Sequence, residues 1–195
     1  MKGKAGAVFS AFGLTQLVVV VAVGAALFFA YDPWRWSKVR EEILRIYPGA
    51  DHIDGASLER WMGAGTSNPT IKPPVLLDVR SAAEFAVSHL PNARNVSVAD
   101  SPEAMKILSG IESRETDMRN PIVIYCEVGT ASAEVADRLK RVGFERVQML
   151  DGGVFQWANE MRPLVDGNGA AVSVVHPGGS PYSGLLKRSQ RAATR

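Results

Sequence analysis

Pro121-Ile122-Val123-Ile124-Tyr125-Cys126-Glu127-Val128-Gly129-Thr130-Ala131-Ser132 is the stretch whose reading decides the fold. An apolar, β-branched run stops at the only cysteine of the chain, a glycine follows, and Ala131 to Val142 carries apolar residues at helical spacing. The pattern predicts a strand, a short loop and a helix N-terminus. Such a junction suits an activated thiol. Orphan N–H groups and the positive end of the helix dipole favour thiolate over thiol. Successive loop N–H groups can also form a concave nest for that charge and for a sulfur or oxyanion bound to it. A lone cysteine at a strand end is also often a small buried hydrophobe. The glycine turn and the immediate helix start favour a functional thiol here.

Outward from this stretch, strands and helices alternate. Val75 to Val79 reads as a short buried strand, and Ser81 as the cap of a helix reaching Val87. Asn95 to Val98 reads as a strand, Ala104 to Leu108 as a helix and Val147 to Leu150 as a further strand. Val154 to Met161 then forms a last helix, stopped by Pro163. Upstream, Val39 to Tyr47 and Ser57 to Met62 have helical spacing, with Ser57 as an N-cap, and Gly63 to Pro74 is loop-like. Alternation of this kind predicts an α/β domain with a mostly parallel sheet, whose site lies beyond the carboxyl ends of the strands, where Cys126 falls.

The chain has 195 residues, 22 basic against 20 acidic, so no whole-chain field for nucleic acid is expected. One cysteine excludes an intramolecular disulfide, a multi-cysteine zinc site and a cysteine-held iron–sulfur cluster within one chain. His52, His89 and His176 have no metal-ligand spacing, so neither metal nor cofactor is expected.

Ala5 to Tyr31 contains no charged residue, and Leu14 to Ala30 is densely apolar. About 20 apolar residues at 1.5 Å each span a ~30 Å hydrocarbon core. Tyr31, Trp34 and Trp36 follow as headgroup-level rings, and Pro33 places the helix end near Asp32. A cleaved signal peptide is the rival reading, with Lys2 and Lys4 as its positive region. The apolar run is long for that role, and Val23-Gly24-Ala25 lies inside it. Arg35, Lys38, Arg40 and Arg45 outnumber Lys2 and Lys4, which favours a single-pass protein with its folded part in the cytoplasm. The expected organisation is a short tail at 1–12, a transmembrane helix at 13–32, a juxtamembrane helix and linker at 33–50, an α/β domain at 51–165 and a disordered basic tail at 166–195.

Three stretches, in order, resemble the rhodanese (sulfurtransferase) family. Leu77-Asp78-Val79-Arg80 with Glu84-Phe85 and His89-Leu90-Pro91-Asn92-Ala93-Arg94-Asn95-Val96 is similar to its first signature. Tyr125-Cys126 with Gly129 and a following helix is similar to its active-site loop, and Leu150-Asp151-Gly152-Gly153-Val154-Phe155-Gln156-Trp157 to its closing segment. The resemblance implies a doubly wound, mostly parallel sheet flanked by helices, and a Cys126 that accepts sulfane sulfur as a persulfide. Glu127, Val128, Gly129, Thr130, Ala131 and Ser132 would complete the loop, with Asp78 and Arg80 in support as an ion pair with neighbours such as Glu84. Thr130 and Ser132 would cap the helix or donate to the sulfur, and Gly152-Gly153 would make a tight turn close to the loop.

Ala131 stands where most active members carry arginine, and Glu127 where many carry a basic or neutral residue. The loop length suits sulfur transfer better than the related phosphatase and arsenate-reductase sites, whose loops run one residue longer. Two functions follow. One is a membrane-anchored sulfurtransferase or sulfur carrier with a sulfur donor and a thiol acceptor. The other is a non-catalytic module of the same fold docked to a membrane complex.

Overall fold

The computed structural model describes residues 19, 33–68, 70–96, 119–141 and 143–193. The N-terminal tail and the membrane helix expected at 13–32 lie outside these residues apart from Val19, as does the helix expected at Ala104 to Leu108. Among the described residues no helix is long and apolar enough to cross a membrane. The chain divides into two units, Met1–Lys38 and Val39–Arg195. In the first, residues 33–38 are helical. Pro33, expected to follow a helix end, is itself helical, because its fixed φ is a helical one and the restriction falls on the residue before it.

The second unit begins with helical residues 39–46 (α1) and continues through β1 (His52–Ile53), α2 (Gly55–Ser67), β2 (Val75–Asp78), α3 (Ala82–Val87), β3 (Arg94–Asn95), β4 (Ile122–Tyr125), α4 (Thr130–Arg141), β5 (Val147–Leu150) and α5 (Gly153–Asn159). The five strands form one parallel sheet in the order β1-β5-β4-β2-β3. This is the α/β architecture expected. All four residues of β4 are buried, as suits a central strand covered on both faces. Leu77, Val79, Ile122, Ile124, Val135, Leu139, Phe144 and Val147 form one apolar cluster in which Cys126 takes part.

Two local expectations are corrected. The cap of α2 is Asp54, whose carboxylate accepts from Ser57 N at 2.9 Å, so Ser57 is already inside the first turn. The same helix runs on to Ser67, through part of the stretch read as loop. Ser81, by contrast, caps α3 as expected, in a reciprocal capping box with Glu84.

The larger correction concerns 166–195, read from composition as disordered. β6 (Leu164–Val165) and β7 (Ala171–Val172) form an antiparallel hairpin, and two 3₁₀ turns follow at Ser183–Leu185 and Arg188–Gln190. Val175, Leu185 and Leu186 are buried. Asn159, at the end of α5, donates to Leu185 O and accepts from Lys187 N, both at 2.8 Å. Arg191 donates to Leu186 O and Ser183 O. A few apolar anchors and side chains that satisfy backbone groups order the segment, and an average over its composition conceals both. The folded unit therefore extends well past residue 165.

Candidate active site

Cys126 follows β4 directly and is 4% exposed. Its Sγ accepts the Gly129 N–H at 3.1 Å and lies 3.9 Å from Ser132 Oγ. The Ser132 hydroxyl in turn donates to Gly129 O at 2.9 Å, which leaves its lone pairs toward the sulfur. Gly129 O also accepts from Ala133 N, so the loop passes into α4 without a break. Gly129 has φ +115, a conformation that favours glycine, and a Cβ there would come within 3.1 Å of Ile43 Cδ1 from α1. The strand–loop–helix junction expected from sequence is thus present. Ser132 is a buried neighbour of the sulfur, Val128 is buried, Thr130 is the first residue of α4, and Ala131 packs against the apolar cluster.

The start of α5 holds the loop from behind. Val154 N donates to Cys126 O at 2.9 Å and Phe155 N to Glu127 O at 3.0 Å. Gly152 and Gly153 both have positive φ, and a Cβ on Gly153 would stand 2.5 Å from Glu127 O. Glycine here permits both the turn and the close approach to the loop, as the sequence reading required.

Asp78 and Arg80 form a buried pair. Arg80 Nε donates to both Asp78 oxygens, at 3.0 and 3.2 Å, and Nη2 donates to Asp78 at 2.6 Å and to Ser88 O at 2.7 Å. Burial opposes the guanidinium charge, but the adjacent Asp78 more than compensates and the Arg80 pKa is raised. Asn95 ties down the carbonyls of both residues. Arg80 lies over the Tyr125 ring, 5.9 Å from its centroid. Burial, followed by the nearby Asp78 charge, holds the Tyr125 phenol well above its ordinary range, and its oxygen accepts from Leu90 N. The pair therefore fixes the Tyr125 side of β4. Glu84, expected as its partner, instead turns one oxygen into the α3 capping box.

Glu127 continues the alternation of β4 away from the sulfur. Ile122, Ile124 and Cys126 share the apolar cluster, whereas the Glu127 carboxyl faces Glu84, Gly178 and Ser180. Burial first, and then the Glu84 charge, push the Glu127 carboxyl above its ordinary 4.5, while the proximity of Ser180 and Arg80 works in the opposite direction. Gly178 and Ser180 were not expected near the loop. Period-two alternation would have put Glu127 on the Tyr125 side, but no sequence signal placed the C-terminal segment against it. Among the described residues no group of His, Cys, Asp and Glu is placed to hold a metal.

A family model described as "Rhodanese-like domain" matches residues 49–160. The tRNA uridine(34) hydroxylase of Paraburkholderia phytofirmans (strain DSM 17436 / LMG 22146 / PsJN) is 28% identical over 113 residues, covering 57% of this chain and 38% of the relative. That of Escherichia coli (strain K12 / DH10B) is 24% identical over 127 residues, covering 64% and 36%. The chain thus spans well under half the length of these curated relatives. Among solved structures, a thiosulfate sulfurtransferase from Pseudomonas aeruginosa aligns with TM-score 0.53 at 19% identity, covering 71% of this chain and 25% of that one. The BH2092 protein from Bacillus halodurans aligns with TM-score 0.50 at 17% identity, covering 77% and 98%. At those identities the likeness is one of fold.

Proposed function

The chain belongs to the rhodanese-like domain family, and from that premise we propose that it accepts and carries sulfane sulfur as a persulfide on Cys126. The observation that carries this reading is the Gly129 N–H directed at Sγ at 3.1 Å, in a loop fixed by α5 at its Cys126 and Glu127 carbonyls. The Cys126 thiolate attacks the outer sulfur of a donor R–S–S⁻ or S–SO₃²⁻. The S–S bond breaks, and its electron pair leaves on the thiolate or sulfite. An acceptor thiolate or cyanide then attacks the outer sulfur of the persulfide, and Cys126 departs as thiolate. The Gly129 N–H stabilises negative charge on sulfur before and after each transfer.

Ala131 supplies no cationic fork for an anionic donor, which favours a donor other than thiosulfate. The second reading, a docking module without turnover, draws on one observation: the thiol is 4% exposed within an apolar cluster. We keep residues 13–32 as a proposed membrane anchor on the strength of the uncharged run alone, with the folded unit in the cytoplasm. Mass spectrometry after exposure to polysulfide separates the two functions. A +32 Da adduct (about one sulfur atom) on Cys126, removed by dithiothreitol and absent in Cys126→Ser, is expected. An unmodified thiol in a folded protein would favour docking.

A further inference from the structure

The C-terminal segment carries an arrangement that sulfur transfer does not use. Gly178, at φ +65, sits so close to Glu127 that a Cβ would collide with Oε1 and stand 3.5 Å from Glu84 Oε1. Glu84 Oε2 is taken by Ser81, through its N–H at 3.2 Å and its hydroxyl at 2.6 Å. Among the described residues Glu84 Oε1 is left buried with no hydrogen-bond partner, as are Ser180 Oγ and Arg80 Nη1. Arg80 directs its Nε and Nη2 donors to Asp78 and Ser88 O, so its charge is already matched. Glu84 and Glu127 are therefore two carboxyls facing one space, and the cation near both, Arg80, is already bonded to Asp78. Burial and the neighbouring Glu84 charge both oppose ionisation of Glu127, so the arrangement favours a proton on Glu127.

We propose that the C-terminal segment is a proton-dependent latch on the active-site loop, held down by a proton on Glu127 that faces Glu84 beneath Gly178. With Glu127 protonated, its hydroxyl donates to Glu84 Oε1 and the segment can close over both. On losing that proton the two carboxylates repel, and residues 176–182 lift to let water reach them. The raised pKa of Glu127 agrees with this state. The charged and polar groups facing Glu127 are Glu84 from α3, Arg80 from the turn after β2, and Ser180 from the segment itself. His176 is engaged within the segment, where its Nδ1 accepts the Gly178 N–H at 3.1 Å.

Lifting stays local because both sides are anchored separately. Val175 is buried upstream, and Leu185 and Leu186 downstream, with Asn159 holding their backbone. The latch governs how tightly the Glu127 side of the loop is covered, and it operates whether or not Cys126 turns over a sulfur donor.

The direction with pH follows from linkage. The seated carboxyl holds its proton to a higher pH than the lifted one. Between the ordinary value near 4.5 and the seated value, opening releases one proton, so the opening constant rises about tenfold per pH unit. Below that window it is flat, and above it flat again. Hydrogen exchange read by mass spectrometry on the full-length chain, from about pH 4.5 to about pH 9, tests this. Protection of residues 176–182, corrected for intrinsic exchange, should fall about tenfold per pH unit and then level off, while β4 stays protected. Glu127→Gln, which can still donate to Glu84 and has no proton to lose, should stay protected and flat. Gly178→Ala should leave the segment unprotected at every pH. Should Glu127→Gln not fold, Glu84→Gln removes the opposing charge but not the burial of Glu127, and should shorten the pH window over which protection falls. A flat wild-type profile, a slope that persists in Glu127→Gln, or a window left unchanged in Glu84→Gln would overturn the latch.

Discussion

Gly153→Ala isolates the contact that holds the active-site loop in place. Gly153 has φ +54, where an L-residue pays about 1–2 kcal/mol. Its new Cβ would lie 2.5 Å from Glu127 O and 2.6 Å from Glu127 C, well inside contact distance, so α5 or the loop must withdraw by roughly 0.5–1 Å. That displacement stretches the bonds from Val154 N to Cys126 O and from Phe155 N to Glu127 O, now 2.9 and 3.0 Å. Each is worth about 1 kcal/mol net, and more where a buried carbonyl is left unpaired. Together these terms give a loss of roughly 3–5 kcal/mol, against a total stability of about 5–15 kcal/mol for a domain. At roughly 2–4 °C per kcal/mol, the melting temperature should fall by about 10 °C.

Gly169→Ala is the control. It has φ +82 but, among the described residues, nothing within 4 Å of its added Cβ, so it incurs the backbone cost without the collision. Urea titration of both variants measures the difference, which should be at least about 2 kcal/mol. Equal losses would mean that α5 does not bear on the loop as described. Persulfide formation on Cys126 should fall in Gly153→Ala below the melting transition and remain unchanged in Gly169→Ala.

Ala131→Arg should raise thiosulfate:cyanide turnover by about tenfold to a hundredfold, the worth of one charge-assisted, two-pronged contact to the sulfonate; an unaltered rate would detach the missing arginine from donor choice. Truncation after Val172 strips Val175, Leu185 and Leu186 from the folded unit and should lower the melting temperature by roughly 5 °C or more, whereas an unchanged transition would mean that this segment does not pack as described. Carbonate washing of membranes should leave the intact chain, beginning at or near its first residue, in the pellet; a washed-out protein starting near Tyr31 would replace the anchor with a signal peptide.

The sheet was legible because β2, β4 and β5 are short apolar runs bounded by turn residues, and a central parallel strand needs nothing more to be recognised. The two-residue edge strands β1 and β3 hold too little apolar periodicity for their bounds to be read. The thiol and its loop were legible for a local reason. The strand end, Gly129 and the start of α4 lie within a few residues of one another. Gly152-Gly153 was readable as a turn, though its bonding to the Cys126 and Glu127 carbonyls depends on a crossover that returns from β5.

Glu127 shows where local reading stops. Beside Cys126 in sequence, it invites an account in which its charge acts on the sulfur. Alternation along β4 sends the two side chains to opposite faces, and the Glu127 carboxyl meets groups that lie far from it in the chain, on α3 and near Gly178. A carboxylate aimed away from the thiol influences the site chiefly through what covers the loop. Substituting Glu127 should therefore alter the protection of residues 176–182 more than the intrinsic nucleophilicity of the sulfur. An assay that follows only sulfur transfer would attribute to chemistry an effect that begins in packing.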